Sequence, residues 1–267
     1  MSEYSLKNTL SYRFLRQSAK DWKDFLVTFG NIGKDFNRVI KYILRLEIDA
    51  NKLIEQSSRF AFDSLPITLT IVSMTAIIIS MQISPELVKQ GGGNFIGMMS
   101  AIVMTRELSA IMSGFAIISM IGSSFASELA SMSVTDQISA MKVLRVDPVK
   151  YLIVPRVTAG FIMMPFVVIL SSFVGLFFAG LVANITAGVS ALNFTTSMWQ
   201  GLFIKDIMVM LLKSAFFGGA IALISCSCGY STRGGAKDVG ISTTKAVVWS
   251  FLAIAFLDWI FAILFYM

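Results

Sequence analysis

The chain has 267 residues, 55% of them hydrophobic and only 14% charged, with 22 Lys and Arg against 16 Asp and Glu. Soluble domains carry about 25% charged residues, so this composition argues against a soluble domain and for a membrane protein. The lack of any His removes a His general base, a His triad and His metal ligands. The net charge of +6 is explained by cytoplasmic loops and anionic headgroups without invoking nucleic acid.

The N-terminal segment, residues 1–60, is read as amphipathic. Trp22, Phe25, Phe29, Ile32, Phe36, Val39 and Ile43 recur at helical spacing, while Lys23, Lys34, Arg38, Lys41 and Arg45 fall elsewhere on the wheel. An aromatic face beside a basic face predicts a helix lying in the membrane interface. Gly30 and Gly33 are candidate kink points. These 60 residues hold no uninterrupted apolar h-region, so no signal peptide is expected.

Five membrane spans follow over residues 61–267. Span 1 is placed at about 66–84 and closed by a polar turn containing Pro85, Glu86 and Gly91. Span 2, at about 95–125, is interrupted by Arg106 and Glu107. Span 3 lies at about 157–182, span 4 at 207–228 and span 5 at 246–266. Residues 183–201 read as an uncharged polar loop. Residues 1–60 hold eleven of the 22 Lys and Arg, and most others lie at 142–156 and 233–245. With the N-terminus inside, every basic segment is cytoplasmic and the C-terminus is outside.

Charges within spans are costly and face a partner or a cavity. Arg106, Glu107 and Lys213 either line a polar pathway or form a structural ion-pair cluster; Asp206 and Asp258 lie in the same spans. Ser119, Ser123, Ser127 and Ser131 recur every four residues beside Gly122, Ala126 and Ala130, a small-residue ridge for close helix packing in this chain or a second copy. Cys226 and Cys228 are read as small apolar residues, and no metal or cofactor is expected. The segment "GGGNFIGM" lacks the Gly-Lys-Ser/Thr of a phosphate-binding loop. Any ATP hydrolysis would therefore belong to a partner chain.

Between spans 2 and 3, residues 133–146 predict a short amphipathic helix. Val134, Ile138, Met141 and Leu144 mark one face, and Thr135, Asp136, Gln137, Ser139, Lys142 and Arg145 the others. Ser133 and Asp136 have capping-box spacing, and Asp147-Pro148 stops the helix. Such a helix lies on the membrane or docks in a partner's groove.

The segment from Arg106, Glu107 and Leu108 through Glu128, Leu129, Met132, Thr135, Gln137, Ile138, Asp147, Pro148, Pro155 and Arg156 resembles the signature of MlaE-type permeases. Gly229, Tyr230, Gly240, Thr244, Val247 and Asp258 resemble that family's closing segment. These permeases are membrane subunits of ABC transporters that move phospholipids and other lipids with MCE-domain proteins. The likeness runs from about Phe60 to the C-terminus. Ser109-Ala110 replaces the family's Gly-Pro, Met120 an Arg, Ala130 a Gly and Asp136 a Glu.

The resemblance implies an all-α, five-span permease of a bacterial inner membrane. It also implies a second copy, a separate ATPase subunit and an MCE-domain protein as partners. Glu128, Met132, Thr135, Asp136, Gln137, Ile138, Met141, Asp147 and Pro148 would couple to the ATPase. Arg106, Glu107, Leu108 and Lys213 would belong to the substrate pathway. The subunit itself would be no enzyme. The competing readings are an ion or small-solute channel or secondary transporter built on Arg106, Glu107 and Lys213, and an intramembrane enzyme.

Overall fold

The computed structural model describes residues 10–45 and 49–267, with side chains described from Val27 onward. Trp22, Lys23 and Phe25, assigned above to an amphipathic face, lie outside the described side chains. Among the described residues there are eight helices and no strands. They are α1 (Leu10–Leu44), α2 (Ala50–Lys89), α3 (Gly93–Val134), α4 (Gln137–Val143), α5 (Val149–Ala187), α6 (Ala191–Gly201), α7 (Ile204–Tyr230) and α8 (Ala236–Tyr266). The helices α2, α3, α5, α7 and α8 are each long and apolar enough to cross a membrane, matching the five expected spans.

Most spans exceed their apolar cores. The helix α2 begins well before Pro66, with the Asp49 carboxylate accepting from the Asn51 N–H at 3.1 Å. It runs through Pro66 and Pro85 to Lys89. The polar turn expected at Pro85 starts instead at Gly91, whose φ of 77° is left-handed. Residues 183–201 are not a loop. The helix α5 ends at Ala187, Gly188 closes it in the left-handed region, and Ser190 caps α6 through the Asn193 N–H at 3.2 Å.

The helix α1 continues unbroken through Gly30 and Gly33, and its wheel has three faces rather than two. Ile32, Asp35, Val39, Tyr42 and Ile43 turn toward the bundle. Phe29, Phe36, Ile40 and Leu44 are exposed on a second, apolar stripe. Lys34, Arg38, Lys41 and Arg45 occupy the third. A protein face, a greasy face and a basic face are what a helix at a bilayer surface beside a bundle requires.

In lipid, helices associate by close packing more than by the hydrophobic effect. The α5–α7 crossing shows this at Gly160 and Gly218, where a Cβ on Gly160 would come within 2.6 Å of the Gly218 carbonyl oxygen. Hydroxyl pairs tie α3 to α5: Ser109 donates to Ser172 at 3.0 Å, and Ser113 meets Ser171 at 3.1 Å. The serine ridge of α3 differs from expectation. Gly122, Ala126 and Ala130 pack inward, with Gly122 and Ala126 against α7, whereas Ser119 and Ser131 are exposed and Ser123 and Ser127 half-buried. The Ser119, Ser123 and Ser127 hydroxyls turn back to their own backbone, as in Ser123 to the Ser119 carbonyl at 2.5 Å. A serine has that bond wherever it sits on a helix, so the four-residue spacing alone did not distinguish an inward row from an outward one.

Candidate functional site

Two charge networks lie within the bundle, and a polar groove lies at one end. The first network is built on α3, α7 and α8. The helix α3 widens into a π turn at Met104–Leu108, where the Ser109 N–H bonds back to the Met104 carbonyl. π turns are rare and concentrate at functional sites. This one holds Arg106 and Glu107. The Lys213 ammonium, wholly buried on α7, donates to Glu107 Oε2 at 2.9 Å and to the Arg106 carbonyl at 3.0 Å, and it also pairs with Asp258 of α8. Arg106 Nε pairs with the buried Asp206 at 2.8 Å, and its guanidinium lies 4.9 Å from the Tyr266 ring centre. Two cations thus meet three carboxylates, and each cation has two kinds of partner. Leu108 is half-buried and packs on the apolar cluster of Val72, Met104 and Leu176.

The second network joins α2, α3 and α5. Glu128 accepts from Arg59 at 3.0 Å through one carboxylate oxygen and from the buried Arg156 at 3.0 Å through the other. Arg59 also donates to Ser124 at 3.1 Å. Both guanidiniums lie over the Phe125 ring, at 6.0 and 5.3 Å. Glu128 was expected to serve coupling; its two oxygens are taken up inside the bundle.

The polar segment between α3 and α5 differs from its expected form. No capping box forms. Ser133 donates instead to the Thr232 carbonyl at 2.7 Å. The backbone breaks at Asp136, left-handed with φ 58°, and α4 spans only Gln137–Val143. Arg145, with φ 60°, ends the turn that follows. Asp147 then opens α5, accepting from the Val149 N–H at 2.9 Å and from the Tyr42 hydroxyl at 2.5 Å. Pro148 is buried behind it. A proline at the start of a helix gives up only an N–H that would have had no partner.

The apolar residues of α4 divide. Ile138 is buried, and Met132 and Met141 pack half-buried against the core. Thr135, Asp136 and Gln137 are exposed. The expected docking face thus turns Ile138 and Met141 inward, because the tight turn at Asp136 rotates α4 back onto the bundle. The exposed apolar tip is Val143 and Leu144, at 83% and 75% exposure. Sequence reading passed over Val143 and had no signal for Arg59 or Tyr266 as partners, since pairing between helices leaves no trace in spacing.

Residues 27–38 of α1, 133–142 and 230–234 line a common groove. Three basic segments therefore converge at one end of the bundle. Beside the groove Asp35 is buried and accepts from the Ser227 hydroxyl of α7 at 2.6 Å. Burial pushes its carboxyl above the ordinary range, outweighing the Ser227 bond and the nearby Arg38 and Lys34 cations.

A sequence-family profile described as "Permease MlaE" matches residues 53–264. The "Probable ABC transporter permease protein slr1045" of Synechocystis is 34% identical over 264 residues, which cover 97% of this chain and 96% of that one. A "Probable ABC transporter permease protein" of Rickettsia prowazekii is 32% identical over 227 residues, 85% of this chain and 88% of that one. "Protein TRIGALACTOSYLDIACYLGLYCEROL 1, chloroplastic" of Arabidopsis thaliana is 34% identical over 229 residues, 86% of this chain and 65% of that one.

Proposed function

Since the chain belongs to the MlaE permease family and is a multi-pass membrane permease of an ABC-type transporter, we propose that it carries a lipid, driven by a separate ATPase subunit seated on α4. The observation that carries this reading is the apolar tip Val143-Leu144. It is largely exposed where α4 ends, at the end of the bundle where the basic segments gather. An exposed apolar pair at the end of a short helix suits insertion into a partner's groove. Thr135, Asp136 and Gln137 flank it as polar contacts, and Met132, Ile138, Met141, Asp147 and Pro148 hold it in place from behind. Glu128 acts one layer deeper, clamping α2, α3 and α5 so that a push on α4 reaches three spans together.

The convergence of basic segments supports an orientation with the N-terminus, α4 and the α7–α8 turn in the cytoplasm of a bacterial cell, and the C-terminus outside its inner membrane. The serine row of α3, exposed at Ser119 and Ser131 and half-buried at Ser123 and Ser127, suits the face of a second copy, because hydroxyls turned to their own backbone leave a slim, close-packing surface. Arg106, Glu107, Leu108 and Lys213 then border the lipid path in the outer half of the bundle. An MCE-domain protein receives or delivers the lipid at that end.

The test uses the chain co-expressed with its ATPase subunit. Val143→Glu with Leu144→Glu should abolish co-purification and lipid-stimulated ATP hydrolysis, while membrane insertion and the melting temperature of the isolated chain stay unchanged. Normal co-purification and turnover would overturn the docking role of α4.

A further inference from the structure

The groove at the basic end has a volume of about 880 Å³, within the usual range of small-molecule sites. Its walls come from α1, from the segment around α4 and from the turn after α7. Lys34, Arg38, Lys142 and Arg233 line it against two carboxylates, Asp35 and Asp136. Both carboxylates are engaged by hydroxyls, Asp35 by Ser227 at 2.6 Å and Asp136 by Ser139 at 3.3 Å. None of the four cations closes an ion pair with a described residue. Lys142 lies 5.3 Å from the Tyr230 ring centre, which steadies its stem over the groove. A neighbouring depression shares Arg38 and Lys142 and adds Arg145 and Asp147.

Four cations against two carboxylates leave the concavity with an excess of positive charge, which a bound anion would offset. A phosphate group supplies the negative charge and accepts from several donors at once. The outer wall shows where it would come from. On α1 the exposed stripe Phe29, Phe36, Ile40 and Leu44 sets the helix at headgroup depth, so its basic side lies among lipid phosphates. We propose that this groove is a binding site for the phosphate-bearing headgroup of an anionic phospholipid in the leaflet that α1 rests on. The site shares no residue with the Arg106–Lys213 network, and the proposal does not depend on which cargo the permease carries. Bound there, the lipid would bridge α1 to the α4 segment and to the end of α7.

Native mass spectrometry of the purified full chain tests this. The chain is titrated separately with phosphatidylglycerol, phosphatidylcholine and inorganic phosphate. Wild-type protein should retain phosphatidylglycerol in preference to phosphatidylcholine. Arg38→Gln with Arg233→Gln should lower that retention about tenfold. Lys41→Gln with Arg45→Gln removes the same charge from outside the groove lining and should leave retention near wild type. Matching melting temperatures establish that both double variants are folded. Equal losses in the two variants would mean general attraction to basic surface and overturn the site. Unchanged retention in Arg38→Gln with Arg233→Gln would overturn it too. Displacement of the lipid by millimolar inorganic phosphate would assign the groove to a soluble anion and overturn the lipid source. If the groove cations matter only for ATPase co-purification, and not for lipid retention, the groove is a protein contact and the proposal fails.

Discussion

Lys213 is a cation held wholly inside the bundle. Its ammonium is fully buried and shared by Glu107, Asp258 and a backbone carbonyl. Removing Lys213 leaves Asp258 charged and poorly solvated while Glu107 stays partly hydrated, so the cost is at most the roughly 3–5 kcal/mol of a fully buried broken pair. Lys213→Met should therefore lower the unfolding free energy by up to that amount in a detergent denaturation series. Adding Glu107→Leu and Asp258→Leu to it should recover much of the loss, because apolar replacement of a whole buried cluster is close to neutral. If the triple variant is stable but no longer transports, the cluster serves the lipid path. If it is stable and active, the cluster is structural. Glu107, Asp258 and Lys213 were each visible in the sequence as charges in apolar runs. That they meet was not, because they are separated by 106 and 45 residues and no spacing rule spans that distance.

At the scale of an element, α1 is fastened to the bundle through Asp35 and Ser227 as well as through Val39 and Ile43. The Asp35 carboxyl is raised by burial, so the docked state holds its proton more tightly than the undocked one. Stability of the docked helix is then greatest at low pH and declines as pH rises from the ordinary carboxylate value through the raised one. Hydrogen exchange of amides 32–43, corrected for intrinsic rate, should show protection falling across that window. Asp35→Asn should flatten the dependence while keeping α1 docked, since the amide still accepts from Ser227. A pH response unchanged in that variant would place the titration elsewhere. The amphipathic character of α1 was legible from periodicity. Its division into protein-facing and lipid-facing stripes was not, because Phe29 and Val39 look alike to a hydropathy pattern. Only a neighbouring surface separates them. The same limit applies to α4, where Ile138 faces in and Val143 faces out.

For the whole molecule, the arrangement predicts which surfaces water reaches from each side. Native Cys226 and Cys228 are buried, so a thiol label should report introduced cysteines over a low background. In sealed inverted vesicles, Val143→Cys should react with a membrane-impermeant maleimide. Trp199→Cys, on the exposed face of α6, should react only after the vesicles are opened. The reverse pattern would invert the topology and, with it, the assignment of α4 to the ATPase side.

Composition and apolar run length by themselves determined a helical chain with five spans, because a bilayer accepts backbone only when its hydrogen bonds close within each segment. Lys and Arg placement pointed to one end as the basic end, and the motif order pointed to the family. The tertiary structure alone decided which charges neutralise one another, which row of α3 faces inward and which tip of α4 stays exposed. Those outcomes depend on how helices far apart in sequence rotate against each other, and rotation is set by close contacts such as Gly160 against Gly218. Contacts of that kind are made between segments, so no single segment encodes them.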